Sequence, residues 1–173
     1  MDQGRAAVYG ALVGVVGTLL GSCFTWLQLR TQAKANNAMW RRQIQRDSYG
    51  VLIERIDALR KAFEPIERRA QASASTGTDL DQLETAKETL FAEFDAATIV
   101  VMLEGPTPIA ELAIQVGHGL RAWGAALEDL AKAVTNGESD LDSKRALTRS
   151  VGQEAGELVG TFLLAARHHL DRA

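Results

Sequence analysis

The chain has 173 residues, a net charge of −3, one cysteine and an aromatic content of 6%. A single cysteine excludes an internal disulfide and any cysteine-based metal site. The acidic balance disfavours nucleic-acid binding, because phosphate backbones repel acidic surfaces. Only three prolines, with abundant alanine, leucine, arginine and glutamate, predict an all-α fold.

The N-terminal region contains a long stretch without charge. Residues 6–29, between Arg5 and Arg30, include no acidic or basic side chain, and a helix needs about 20 apolar residues to cross a bilayer. Tyr9 and Trp26 would lie about 26 Å apart along such a helix, which suits one aromatic ring at each interface. The sequence therefore predicts a short tail at 1–5 and a transmembrane helix at 6–29.

Basic residues follow this segment directly. Residues 30–46 contain no acid and five bases, namely Arg30, Lys34, Arg41, Arg42 and Arg46. By the positive-inside rule they place the C-terminal part in the cytoplasm and the N-terminus outside the cell membrane. They form either a stop-transfer flank alone or a basic juxtamembrane helix that contacts anionic membrane lipid.

Small residues recur on one face of the predicted transmembrane helix. They are Ala7, Gly10, Gly14, Gly17 and Gly21. Such a face lets two membrane helices approach closely, and packing and weak Cα–H hydrogen bonds then hold them together. This pattern predicts a homo-oligomer or pairing with another membrane helix, although glycine is also generally common in membrane helices.

A lipoprotein signal is the competing interpretation of the same region. The tetrapeptide Leu20-Gly21-Ser22-Cys23 resembles a lipobox, in which the cysteine is lipidated and becomes the new N-terminus. That processing would place the rest of the chain outside the cytoplasm. The apolar stretch continues to Leu29, however, and basic residues follow it, which favours a transmembrane helix over a cleaved signal.

Residues 47–173 hold 21 acidic against 13 basic residues and are predicted to form an acidic helical-bundle domain. The first helix is expected to continue from the anchor to about Glu64, where Pro65 should kink or end it, with a short continuation to Gln71 left open. Its apolar positions are Trp40, Ile44, Leu52, Ile56, Leu59 and Phe63. A polar loop at 71–79 should end in an N-cap at Thr78 or Asp79.

Three further amphipathic helices are predicted. The second carries Leu80, Leu83, Leu90, Phe91, Phe94, Ala97 and Val101 and ends at Gly105-Pro106. The third begins with Thr107 as N-cap, carries Ile109, Leu112, Val116, Leu120, Trp123, Leu127, Leu130 and Val134, and ends at Asn136-Gly137. The fourth begins near Ser139 or Asp140 and carries Leu141, Leu147, Val151, Ala155, Leu158, Phe162 and Ala165. Short connections predict an antiparallel bundle of about four helices.

The sequence offers no residues for catalysis, a cofactor or a metal. Gly117–Ala122 matches the dinucleotide fingerprint G-x-G-x-x-A, but it lies inside a helical apolar stripe rather than between a strand and a helix. We therefore interpret Gly117 and Gly124 as positions of close helix packing. The adjacent His168 and His169 point about 100° apart on a helix and cannot chelate one metal ion.

The apolar, glycine-rich N-terminus, the basic flank and the charged helical tail resemble uncharacterised single-pass membrane proteins of actinobacteria, over about the first sixty residues. The resemblance is one of composition and implies no site residue. The sequence favours a noncatalytic membrane-anchored interaction or scaffold module with an unknown cytoplasmic protein partner. Two alternatives are an extracytoplasmic lipoprotein or phage-type envelope protein with a helical rod, and a membrane-attached sensor bundle.

Overall fold

The computed structural model describes residues 39–172, so the predicted transmembrane helix at 6–29 lies outside the described residues. Within them the chain forms four helices: α1 (39–71), α2 (Gly77–Glu104), α3 (Thr107–Asn136) and α4 (Leu141–Arg172). No strand occurs in this range, which confirms the all-α prediction. None of these four helices combines the length and apolar character needed to cross a bilayer. The bundle unit comprises Arg42–Ala173.

Helices α1 and α2 run antiparallel. The Gln45 side-chain amide donates to the carbonyl oxygen of Glu104 at 2.7 Å, and Arg69 Nε donates to Asp79 Oδ1 at 2.7 Å. The start of α1 therefore lies beside the end of α2, and the end of α1 lies beside the start of α2.

The other neighbouring pairs are also antiparallel. Between α3 and α4, the Thr148 hydroxyl donates to the carbonyl oxygen of Ala126 at 3.1 Å. The bundle closes where α4 returns to α1, because the Tyr49 and Phe162 rings pack edge to face with centroids 6.4 Å apart. At the other end Arg149 donates to the side chain of Gln71 at 3.1 Å. The predicted antiparallel helical bundle is confirmed.

The core lies between all four helices and is centred on aromatic rings. Phe63 of α1 contacts Phe91 of α2 with ring centroids 6.1 Å apart and Trp123 of α3 with centroids 5.3 Å apart. Around them lie fully buried leucines and valines from α1, α2 and α3: Leu52, Leu59, Leu83, Val101, Val116, Leu120, Leu127 and Leu130. Burial of these apolar side chains drives the helices together.

Pro65 does not end α1, which is helical as far as Gln71. Of the two outcomes that the sequence left open, an end near Glu64 and a continuation to Gln71, the second is observed because Phe63, Ile66 and Ala70 continue the buried stripe across the proline. Their burial outweighs the roughly 3 kcal/mol that an internal proline costs a helix. Helix α1 therefore ends at Gln71 and not at Glu64.

Helix boundaries differ from the predicted ones by one to three residues. The N-cap of α2 is Thr76 rather than Thr78 or Asp79, and the N-cap of α3 is Pro106 rather than Thr107. Asp79 instead occupies the third position of α2, where its carboxylate accepts a hydrogen bond from the backbone N–H of Thr76 at 2.8 Å. Gly137 ends α3 with a left-handed φ of 66°, as predicted from the Asn-Gly pair.

Two predicted core positions are wrong. Leu147 of α4 is 57% exposed, and Trp40 of α1 is 66% exposed. Thr148 takes the core position next to Leu147, because its hydroxyl finds acceptors at the carbonyl oxygens of Lys144 and Ala126. Thr148, Ala155, Val159, Phe162 and Ala166 form the buried stripe of α4.

Candidate functional site

The predicted site residues divide between described and undescribed parts of the chain. The glycine face, comprising Ala7, Gly10, Gly14, Gly17 and Gly21, lies outside the described residues, as do Arg30 and Lys34. Arg41, Arg42 and Arg46 lie on α1 and are exposed. Arg42 and Arg46 are four residues apart and so share one face of the helix.

Exposed apolar side chains crowd the last turns of α2. Ile99 is 56% exposed, Val100 44%, Met102 49% and Leu103 76%. They face outward because Thr98 and Val101 take the positions that face the core. We call these four residues the apolar end of α2. A water-facing helix surface is normally polar, and a contiguous apolar patch of this kind usually marks an interaction site.

The apolar end of α2 continues into a groove beside α1. The groove has a volume of about 270 Å³ and is lined by Ile44, Asp47, Ser48, Val51, Ala97 and Val100. Val51 is itself 45% exposed. The first turns of the bundle unit and the last turns of α2 thus form one surface, whose charged lining residue is Asp47. Arg42 and Arg46 lie on the opposite side of α1, about 150° or more around the helix from the groove.

A second concave feature lies between α1 and α4, above the side chain of Trp123. This cavity has a volume of about 300 Å³ and is lined by Arg60, Glu64, Glu67, Leu120, Trp123, Arg149, Gly152, Gln153, Ala155, Gly156 and Val159. We call it the Trp123 cavity. Its floor is apolar and its rim carries charges of both signs.

Trp123 is almost fully buried, and Gly152 makes room for it. A Cβ atom at residue 152 would lie 2.9 Å from Trp123 Nε1, closer than packed atoms allow. The indole N–H finds no hydrogen-bond partner of normal geometry among the described residues. By contrast, a Cβ atom at Gly156, one turn further along α4, would meet nothing within 4 Å.

Glu67 is a partly buried acid at this cavity. Burial raises the pKa of its carboxyl above the ordinary value, and the Gln71 amide and the Trp123 indole only partly oppose that rise. The Gln71 amide donates to Glu67 Oε1 at 3.0 Å. Glu67 can therefore take up a proton more readily than a surface glutamate, at the edge of the Trp123 cavity.

Gly117 and Gly124 of α3 are positions of close helix packing, as the sequence indicated. A Cβ atom at Gly117 would lie 2.8 Å from the Phe94 ring, and one at Gly124 would lie 3.2 Å from the Phe63 ring. Gly117 and Gly124 thus let aromatic side chains of α2 and α1 lie against the backbone of α3. His118 and His168 are exposed, whereas His169 Nε2 lies 3.4 Å from Gln45 Oε1.

Comparison with known family models, curated proteins and solved structures finds no match to this chain.

Sequence reasoning missed both surface features. The apolar end of α2 was visible as the apolar run from Ile99 to Leu103, but the sequence placed this run on an amphipathic helix without showing that most of it faces solvent. The Trp123 cavity joins residues more than eighty positions apart in the chain. Its only local signal was the spacing of Gly152, Gly156 and Gly160 along α4.

Proposed function

We propose that this chain is a noncatalytic, membrane-anchored helical interaction module. Residues 6–29 anchor it to the cell membrane, its N-terminus lies outside, and its bundle lies in the cytoplasm. The single observation that carries the proposal is the charge-free segment of bilayer length followed by five bases and no acid. The compositional resemblance to actinobacterial single-pass proteins supports the same arrangement.

In this proposal the bundle functions by holding a partner protein close to the membrane. Its surface is acidic, because the 21 acids of residues 47–173 exceed the bases by eight. A cytoplasmic partner with a basic surface would be attracted to it, and attachment to the membrane would hold that partner near the bilayer. The glycine face at Ala7, Gly10, Gly14, Gly17 and Gly21 would bring two or more such modules together.

Membrane extraction tests the anchor. We expect the full chain to stay with the membrane pellet after alkaline carbonate treatment and to keep its N-terminus. Release into the supernatant would contradict the anchor. Maturation to a new, lipidated N-terminus at Cys23 would instead establish the extracytoplasmic lipoprotein.

Cysteine labelling tests the orientation. In a Cys23→Ser background, single cysteines at Gln3 and at Ser139 report the two sides of the membrane. Ser139 is exposed in the connection between α3 and α4, so its substitution leaves the core untouched. We expect an impermeant maleimide added to intact cells to label residue 3 and not residue 139. The reverse labelling would place the bundle outside.

Substitution in the glycine face tests self-association. Leucine at Gly14 or Gly17 would fill the surface through which the helices approach, so we expect cross-linked oligomers in membranes to decrease. Val16→Leu, which would lie about 130° around the predicted helix from the glycines, is the matched control and should leave cross-linking unchanged. Unchanged cross-linking in all three variants would reject the glycine face.

A sensor bundle is the second candidate, and the Trp123 cavity favours it. A ligand between α1 and α4 would change how these helices pack, and α1 lies nearest in sequence to the anchor. We expect native mass spectrometry of protein purified from membranes to detect a retained small molecule. Gly156→Leu should abolish its retention by filling the cavity, whereas Gly160→Leu, outside the lining, should not. Spectra of the bare chain alone would count against the sensor.

A further inference from the structure

We propose that the Trp123 cavity binds a small uncharged molecule that is apolar over most of its surface and carries a carbonyl-type hydrogen-bond acceptor for the Trp123 indole N–H. The inference rests on the sensor candidate, because it names the class of ligand that this cavity takes. It requires nothing of the anchor, since every residue that it uses belongs to the bundle unit.

Paired charges on the rim argue against an ionic ligand. The charged lining residues are two arginines and two glutamates, namely Arg60, Glu64, Glu67 and Arg149. Arg60 lies 3.2 Å from Glu64, and the charge of Arg149 opposes the rise in the Glu67 pKa that burial causes. An ionic ligand would lose its water and would meet a charge of its own sign beside each charge with which it could pair. An uncharged ligand avoids both penalties.

One buried polar group of the lining lacks a partner, and it is a donor. Trp123 is 5% exposed, and its indole N–H makes no hydrogen bond of normal geometry among the described residues. Other polar side chains of the lining are engaged, since the Gln153 amide donates to Glu157 and Arg149 donates to Gln71, both at 3.1 Å. An indole N–H can only donate, so the group that complements it is an acceptor such as a carbonyl oxygen. A buried donor without an acceptor is unfavourable, and a ligand that supplies the acceptor removes that penalty.

The shape of the cavity places a ligand beside this donor. Gly152 lies against Trp123 Nε1, and a Cβ atom at Gly156, one turn further along α4, would meet nothing within 4 Å. The volume of about 300 Å³ has room for roughly ten non-hydrogen atoms, at about 30 Å³ each. The apolar part of the lining comprises Leu120, Ala155 and Val159. A molecule of this size can thus bury an apolar body near Gly156 with its acceptor directed at Trp123.

Four test molecules with the same number of non-hydrogen atoms separate the ligand classes. Acetophenone carries a carbonyl acceptor, and cumene has the same shape without one. Benzoate and α-methylbenzylammonium are the matched anion and cation. In the full-length chain with Trp26→Phe and Trp40→Phe, Trp123 is the only tryptophan, so its indole N–H gives a single resonance in a proton–nitrogen NMR spectrum.

We expect acetophenone to move the Trp123 indole resonance downfield in a saturable manner, because its carbonyl oxygen accepts from the N–H. Cumene should bind without the downfield shift, which controls for the effect of the shared aromatic ring. The two ions should bind at least about tenfold more weakly than acetophenone, because burial of a charge is unfavourable. No saturable shift with acetophenone, or tighter binding of either ion, would overturn the proposal.

Two substitutions on α4 locate the bound molecule. Gly156→Leu fills the cavity and should abolish the acetophenone shift. Gly160→Leu lies outside the lining, at a position where a Cβ atom also meets nothing within 4 Å, and should leave the shift unchanged. A shift that persists in Gly156→Leu would place acetophenone elsewhere and overturn the proposal. Circular dichroism verifies that each variant is folded.

The outcomes also separate this inference from the functions proposed above. An ionic molecule retained in native mass spectra, without an acetophenone shift, would keep the sensor and overturn the inference. Saturable binding of acetophenone with no molecule retained from membranes would support the ligand class and count against the sensor. Release of the chain by carbonate would reject the anchor and leave the binding result unchanged.

Discussion

At several positions of this bundle, the distance between two helices determines which side chain can be accommodated. Gly152 lies against the indole of Trp123, where a Cβ atom would be 2.9 Å from Nε1, whereas Gly156 faces open space. The two glycines belong to the same helix and differ by one turn. Sequence alone treats them as equivalent, and only the position of Trp123 distinguishes them.

We expect Gly152→Ala to lower the free energy of unfolding by about 1–3 kcal/mol, because the added methyl group overpacks the contact with Trp123. Gly156→Ala is the matched control and should raise it by about 0.5–1 kcal/mol through alanine's better helix propensity. Urea denaturation of the full chain in mild detergent, followed by circular dichroism, measures both. Equal effects of the two variants would contradict the close contact.

The pH dependence of Glu67 provides a second prediction at this scale. Its pKa is raised mainly by burial, so its ionised form destabilises the fold above that pKa, and the penalty disappears as the pH falls through it. We therefore expect Glu67→Gln to raise the melting temperature at neutral pH. The gain should vanish at a pH below the ordinary glutamate value.

Glu64→Gln is the control for Glu67→Gln. Glu64 lines the same cavity but pairs at 3.2 Å with Arg60 near the surface. We expect a small change in melting temperature at every pH for this variant, since exposed ion pairs contribute little. A pH-independent difference between Glu67→Gln and the unsubstituted chain would show that burial of the carboxylate is not the cause.

At the scale of elements, two helices end at a residue in the left-handed backbone conformation, which glycine adopts easily and other residue types adopt less often. Gly137 ends α3, and Ser73 ends α1 with a left-handed φ of 55°. In both cases the next N–H donates to a carbonyl oxygen five residues earlier, from Ala74 to Arg69 at 2.9 Å and from Glu138 to Ala133 at 3.0 Å. The glycine was predictable. The serine was not, because a left-handed serine has no sequence signature.

The N-terminal end of α2 contains a hydrogen-bonded carboxylate, that of Asp79, whose contribution to stability can be tested. Asp79 is 4% exposed and accepts hydrogen bonds from the backbone of Thr76 and from Arg69. Burial alone would raise the pKa of this carboxyl, but the hydrogen bonds from Arg69 and Thr76 outweigh it and lower the pKa. The stability it contributes is therefore present above its unfolded pKa and is lost as the pH falls through the lowered value.

We expect Asp79→Ala to lower the free energy of unfolding by about 1–2 kcal/mol at neutral pH, because it removes the capping-box carboxylate that accepts hydrogen bonds from the Thr76 backbone and Arg69. Asp81→Ala, exposed two residues further along, should change it by less than about 0.5 kcal/mol. Denaturation at neutral and strongly acidic pH measures both variants. A difference that persists undiminished in acid would contradict an ionised cap.

The whole molecule is held by one core shared between four helices. Leu127 is fully buried at the centre of α3, with core residues of α1, α2 and α4 belonging to the same cluster. We expect Leu127→Ala to lower the free energy of unfolding by about 2–5 kcal/mol. Leu147→Ala, at an exposed position of α4, should cost less than about 0.5 kcal/mol. Comparable losses in the two variants would show that the helices do not share this core.

The sequence by itself determined the helical class, most of the apolar stripes of α2 and α3 and the glycine end of α3. Those features follow from helical periodicity and from backbone conformations that depend on neighbouring residues. It left the continuation past Pro65 open and was wrong about Leu147, because the energy of packing between helices overrides local preference at both positions. The register of α4 depended on Thr148, a polar residue that becomes a core residue only once α3 supplies an acceptor.

Only the tertiary structure decided which surfaces remain open. The apolar end of α2 is exposed because α1 and α3 cover the opposite side of the helix. The Trp123 cavity exists because α4 returns to α1 with Gly152 against Trp123 and Gly156 facing open space. Hydrophobic periodicity shows which face of each helix is apolar but not which helix packs against that face. Partners are selected by the fit of side chains distant in the chain, a property of the packed bundle as a whole.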